Sequence, residues 1–308
     1  SNIITVVAMI KSPKSIGSKS RLYVINLACA DFMLSPAFTI ELILSMSGYL
    51  CQDGSAPVGI DVSRKKYSLI ALMSFRYSAY GVALFTLLSI AIDRLLAVSQ
   101  PVWYKQHITS SRIKIMLILN WTWHLIFIAS VLTYYALTVE DDYVLKTCDV
   151  HSMLPDNLHE RFILPQSYCI SIPGNIICYC NTYFKIKKQF MKKITDGTQA
   201  KNLKRTRHFF HMMLATLIVQ FLFFGPYLVG YIILGAGRPG QPYWIHAYLG
   251  QAFLLLMISN SWINPVLYCW FNPEYRKAYY RVFGLRTNQV GGMTTDSKMG
   301  DTSRTGIN

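Results

Sequence analysis

Five ionised side chains stand among apolar neighbours in this chain: Asp31, Glu41, Arg76, Asp93 and Arg94. A charge at membrane depth is costly unless it has a partner or a task. Carboxylates and guanidinium groups in such places suit ion pairing, hydrogen bonding and the reception of a charged group. Asp93 and Arg94 are adjacent in the run Ala91-Ile92-Asp93-Arg94-Leu95-Leu96-Ala97, near the end of an apolar stretch from about Tyr67 to Val98. That placement predicts a contact point for a partner. Catalysis finds little support, because the chain has no Gly-x-Ser-x-Gly elbow, no paired histidines and no metal-ligand spacing. Five of the seven cysteines (Cys29, Cys169, Cys178, Cys180 and Cys269) lie in or beside apolar stretches and read as core residues.

The elements that position these charges follow from composition. Of 308 residues, 52% are hydrophobic and 15% charged, whereas roughly a quarter of a soluble domain is charged. Several stretches reach the roughly 20 apolar residues that span a bilayer. The first, Ser1 to Ile10, covers about 15 Å before Lys11 and predicts a spanning helix lacking its N-terminal half. The others run from about Leu22 to Met46 with Pro36, Tyr67 to Val98, Ile113 to Thr138, Phe162 to Tyr183 broken at Pro173-Gly174, Phe209 to Leu234 with Gly225-Pro226, and Tyr243 to Cys269. Asn272 to Phe283 predicts an amphipathic helix, with Tyr275, Tyr279, Val282 and Phe283 on one side and Arg276, Lys277 and Arg281 on the other. Such a helix lies on a membrane rather than across it. The expected fold is an all-α membrane protein, a seven-helix bundle over residues 1–285, followed by a disordered tail over 286–308.

The net charge of +15 raises nucleic acid as a partner, but the bases fall in short segments between apolar stretches. If the links after stretches one, three, five and seven face the cytoplasm, 23 of the 30 Lys and Arg lie toward that side. The opposite side receives Val139–Arg161, which holds six of the 15 acids. This is the positive-inside pattern, and it predicts a multi-pass plasma-membrane protein with a cytoplasmic C-terminus and no nucleic-acid role. No internal repeat of the transporter kind is visible.

The polar residues inside these stretches resemble those of the rhodopsin-like (class A) G-protein-coupled receptors, over nearly the whole chain. Asn2 looks like the family's first-helix asparagine, and Asn26-Leu27-Ala28-Cys29-Ala30-Asp31 is similar to its second-helix signature. Asp93-Arg94-Leu95 resembles the Asp-Arg-Tyr motif. Trp121 and Trp123 both compete for the fourth-helix tryptophan. Pro173 and Pro226 match the fifth- and sixth-helix prolines, and Asn264-Pro265-Val266-Leu267-Tyr268 is similar to the Asn-Pro-x-x-Tyr motif. The resemblance implies that Asp93, Arg94, Phe224, Pro226, Asn264, Pro265 and Tyr268 take part in activation and coupling to a heterotrimeric G protein. It also implies a sodium-and-water pocket at Asp31, Asn260, Ser261 and Asn264. A neutral, hydrogen-bonded Asp31 without an ion is the alternative, since Ala83 stands where the family often has a serine ligand.

The departures bear on what kind of receptor the resemblance implies. Leu95 follows Asp93-Arg94 in place of an aromatic residue. Phe224 stands where the sixth helix usually has tryptophan, and core packing is its plainer role. Asn181 replaces a fifth-helix tyrosine, with Tyr179 and Tyr183 beside it expected to point elsewhere. Leu69 stands where the family's disulfide normally starts, which suggests a Cys51–Cys148 bond instead, with two free thiols as the alternative. Arg76 occupies the place of the aminergic aspartate and argues against an amine ligand. A ligand site at Arg76, Glu41, Tyr80, Phe224 and Tyr227 for an acidic lipid, metabolite or peptide is one expectation; a structural Arg76–Glu41 pair is the other. Phe75, Tyr77, Tyr231 and Tyr248 are further aromatic candidates, with packing as the commoner role. Ile258 stands in the place of the opsin lysine, so no retinal is expected.

The tail hydroxyls Thr287, Thr294, Thr295, Ser297, Thr302, Ser303 and Thr305 are candidates for phosphorylation and arrestin binding, or belong to an unused tail. The bases at Lys185–Lys193 and Lys201–Arg207 face either the G protein or the lipid headgroups. A receptor-like scavenger or partner-binding protein without G-protein activation remains the competing class.

Overall fold

The computed structural model describes residues 2–11, 17–47, 62–138, 170–191, 197–234 and 243–285. These residues form helices α1 (Asn2–Lys11), α2 (Ser18–Met46), α3 (Val62–Ser99), α4 (Pro101–His107), α5 (Ser110–Thr138), α6 (Ser171–Met191), α7 (Gly197–Leu234), α8 (Tyr243–Phe271) and α9 (Pro273–Val282). Helix is the outcome that lets an apolar chain satisfy its own backbone where water is absent. Three of them are long and apolar enough to cross a membrane, over Ser18–Leu44, Ile70–Ser99 and Ser110–Thr138. Pro36, Pro226 and Pro265 lie inside α2, α7 and α8 without ending them.

Large apolar side chains face outward, and a set of polar and charged ones is buried within the apolar core. On α5, Ile115, Ile118, Leu119, Trp123 and Ile126 are exposed. Buried instead are Asn26, Asp31, Glu41, Arg76, Thr86, Asp93, Arg94, Asn260 and Asn264. Helix α3 is the axis of the bundle and packs on α2, α5 and α6, while α8 packs on α2 and α7, and α1 on α2 and α9. Small residues permit the close approaches. A Cβ at Gly81 of α3 would strike the His124 ring on α5, and one at Gly174 of α6 would lie 2.8 Å from Leu88.

Three boundaries differ from the sequence expectation. Helix α7 starts at Gly197, twelve residues before Phe209, so the bases Lys201–Arg207 are part of the helix rather than a linker. The connection after α3 contains α4, started by Pro101 at its first turn, where the missing N–H costs nothing. Pro173-Gly174 lies within α6 as described, Ser171–Met191, without ending it. Helix α9 is capped by the Asn272 side chain, which accepts from the Glu274 N–H at 3.0 Å. It buries Tyr275, Ala278 and Tyr279, but Phe283, expected on the same side, lies past the helix end and is exposed.

Candidate functional site

At the α4 end of α3, Arg94 is 8% exposed and Asp93 4%. The Arg94 Nε–H donates to Asp93 Oδ2 at 2.9 Å, and its Nη2 reaches the same oxygen. Tyr104 on α4 closes the group. Its hydroxyl donates to Asp93 Oδ1 at 2.8 Å and accepts from Arg94 Nη2 at 3.3 Å. Burial raises the Tyr104 phenol above its ordinary value, against the lowering pull of Arg94, so it enters as a neutral donor. The Lys19 ammonium stands 4.1 Å from the Tyr104 ring centroid. From α7, the ring of Phe209 lies 4.8 Å from the Arg94 guanidinium, a cation–π contact across two helices. Lys19, Arg94, Tyr104, Thr206, Phe209 and Glu274 line one cavity of about 300 Å³.

One level up, Asn264 Nδ2 donates to Asp31 Oδ2 at 2.6 Å. Asn260 is 2% exposed, and its Oδ1 has no hydrogen-bond partner among the described residues. The pair supplies oxygen ligands of the type a sodium ion takes, and Asp31 is the one carboxylate among them. The Ser261 side chain lies outside the described residues. Pro265 is buried within α8, and the Tyr268 ring lies 6.1 Å from that of Tyr275 on α9.

Beside this level runs a hydrogen-bond relay across α2, α3 and α5. Trp121 Nε1–H donates to Asn26 Oδ1 at 2.8 Å, Asn26 Nδ2 donates to Thr86 Oγ1 at 2.8 Å, and Asn120 Nδ2 donates to the Val82 carbonyl at 3.2 Å. This separates the two tryptophans. Trp121 joins α5 to α2, while Trp123 is 58% exposed.

The expectation for Tyr179 requires correction. It is 4% exposed, its ring lies 5.5 Å from Phe210 of α7, and its hydroxyl has no partner among the described residues. Asn181 is exposed and donates to its own helix at the Ile177 carbonyl, 2.9 Å away. The reason is rotational. The buried stripe of α6 runs through Ser171, Asn175, Tyr179, Thr182 and Ile186, a helical spacing that leaves residue 181 on the outer face.

In the other half of the bundle, Arg76 on α3 and Glu41 on α2 form an ion pair, each 2% exposed. The Arg76 guanidinium also lies 4.7 Å from the Tyr77 ring and 5.8 Å from Phe38. Tyr80 packs with Leu34, Phe38, Ala79 and Leu84, and Ile258 lies against that cluster. Phe75 faces outward at 56% exposure, so it lines no interior pocket. Pro226 is an exposed residue within α7. The side chains of Phe224, Tyr227, Tyr231 and Tyr248, and all of Cys51 and Cys148, lie outside the described residues.

Tyr104 and Phe209 were not singled out by sequence. Tyr104 is eleven residues beyond Asp93, and only the return of the chain through α4 brings them together. Phe209 is one apolar residue among many at the start of its stretch. The single available signal was Pro101, which marks a helix start and therefore a turn back.

The family described as "7 transmembrane receptor (rhodopsin family)" matches residues 1–268. Among curated proteins, the "Rhodopsin, GQ-coupled" of Mizuhopecten yessoensis is 24% identical, over 90% of this chain and 55% of its own. The "Tachykinin-like peptides receptor 86C" of Drosophila melanogaster is 24% identical over 66% of this chain and 42% of its own. The human "Probable G-protein coupled receptor 19" is 22% identical over 94% of this chain and 67% of its own. The chain spans about half the length of the curated relatives it matches.

Proposed function

The chain belongs to the rhodopsin family of seven-transmembrane receptors, and from that premise we propose that it relays an extracellular ligand signal to a heterotrimeric G protein at the plasma membrane. The observation that carries this reading is Arg94, buried at one end of the bundle and held by Asp93, Tyr104 and Phe209 beside an open cavity. A guanidinium so held is a two-state element. When α7 moves away, Phe209 leaves, and Arg94 exchanges Asp93 and Tyr104 for a partner entering on the cytoplasmic side. The ligand acts by binding the second state more tightly than the first.

The ligand class follows from Arg76. It pairs with Glu41, and its planar guanidinium fork is the group that suits a carboxylate or phosphate. An acidic ligand therefore shares or displaces Glu41, whereas an amine meets a cation. Retinal has no Schiff-base lysine here, because Ile258 stands in that place. Sodium is proposed at Asp31, Asn264, Asn260 and Ser261, where Asp31 supplies the carboxylate. Arrestin is assigned to the tail hydroxyls.

A second reading, partner binding without G-protein activation, draws on Asn181. It sits on the outer face of α6, where it contributes nothing to an interior switch. Arg94→Ala separates the two. Basal and acid-screened G-protein dissociation, measured at matched surface level, falls to background on the first reading. Signalling equal to the unaltered chain overturns it.

A further inference from the structure

A second cavity, about 630 Å³, opens on the outer surface between α1, α8 and α9, away from the Arg94 site. Its wall is apolar: Ile4 of α1, and Val266, Cys269 and Trp270 of α8. Tyr279 completes it, with its hydroxyl already bonded to Thr5 Oγ1 at 2.6 Å. The charged group among the described residues of the wall is Arg276. Among the described residues no carboxylate stands within ion-pair distance of it.

We infer that this groove holds one acyl chain of an anionic phospholipid, with the headgroup on Arg276. The volume lies within the roughly 300–1,000 Å³ of ligand sites. Trp270 is 77% exposed at the end of α8, and an exposed indole at a span end marks the headgroup boundary. The apolar wall from Val266 to Trp270 then lies at acyl depth, while α9 rests at headgroup depth, where Arg276, Lys277 and Arg281 are exposed. A free phosphate would use Arg276 and leave the groove empty, and a neutral sterol would fill the groove and leave the guanidinium unpaired. The two features together select a chain with an anionic head. The inference rests on the proposed orientation, which places α9 in the anionic cytoplasmic leaflet, but not on G-protein activation.

The test uses the full chain in nanodiscs of phosphatidylcholine doped with photoactivatable phosphatidylserine, with the cross-linked peptide mapped by mass spectrometry. Label is expected within residues 265–283. Arg276→Ala reduces it about tenfold, the loss of a hydrogen bond made directly to the charged headgroup. Val266→Trp, which fills the groove without touching the charge, reduces it as well. Lys277→Ala and Arg281→Ala, outside the cavity wall, retain it. Equal labelling by photoactivatable phosphatidylcholine overturns the inference, as does label mapping elsewhere or retained label in both groove variants. Cross-links joining two copies of the chain through α8 and α9, in place of lipid, also overturn it. Thermal unfolding of each variant in the same nanodiscs separates loss of lipid from loss of fold.

Discussion

Tyr104→Phe isolates the hold on Arg94 with the smallest change. It removes one oxygen and keeps the ring that Lys19 covers. Two hydrogen bonds go with it, the donation to Asp93 Oδ1 at 2.8 Å and the acceptance from Arg94 at 3.3 Å. Each bond to a charged group contributes about 1.5–3 kcal/mol. The bond from Arg94 at 3.3 Å is long and adds little. The partial exposure of Tyr104 favours the low end, so the two together contribute about 1.5 kcal/mol. If both bonds exist only in the resting state, the whole loss falls on that state. The equilibrium then moves about tenfold toward the state with Arg94 released. A minor population of about 1% becomes about 10%, which a basal G-protein dissociation assay resolves at matched surface level. Arg94 keeps Asp93 in this variant, so the fold survives. A basal signal that stays level or falls, in a variant with unaltered thermal stability, refutes the idea that Tyr104 restrains the switch.

Other perturbations probe neighbouring links. Phe209→Leu keeps most of the volume but loses the aromatic face over Arg94, about 0.5–2 kcal/mol of cation–π attraction; basal signalling is expected to rise several-fold, and an unchanged baseline refutes the link between α7 and α3. Trp121→Phe loses the bond to Asn26 and lowers thermal stability by about 1–3 kcal/mol for the orphaned acceptor, whereas Trp123→Phe on the exposed face leaves the melting temperature level. Gly81→Ala drives a methyl into the His124 ring and costs about 1–3 kcal/mol by overpacking; His124→Ala in the same chain is expected to restore most of it, and additive losses reject the contact. Glu41→Gln leaves Arg76 charged and buried without its carboxylate, a loss of about 3–5 kcal/mol, which the double change with Arg76→Gln reduces; equal instability of single and double variants counts against the pair.

Much of the switch was legible because its residues are rare in their setting. A carboxylate or guanidinium within an apolar stretch stands out, as Asp93 and Arg94 do, while Asp31 and Arg76 were legible through the family resemblance and Glu41 through its height on the neighbouring helix. The pairing of Arg76 with Glu41 followed from rise per residue, since each lies a computable height along its own helix. Tyr104 escaped notice for the opposite reason. A tyrosine near a membrane surface is common, and nothing local distinguishes one that meets Asp93 from one that does not.

By itself the sequence determined which segments are apolar enough to span a membrane, how the bases are distributed between them and in what order the motif residues occur. Those properties depend on length, hydropathy and charge, which are sums along one chain. Tertiary structure decided which face of each helix looks inward. It turned Trp121 in and Trp123 out, and it put Tyr179 rather than residue 181 on the buried stripe of α6. In a soluble helix the polar side announces the surface. Here α5 is apolar nearly all round, so its rotation is set by close contacts such as Gly81 against His124 and by hydrogen bonds such as Trp121 to Asn26. Those contacts join residues about 40 to 100 positions apart, and they exist only once the helices have met.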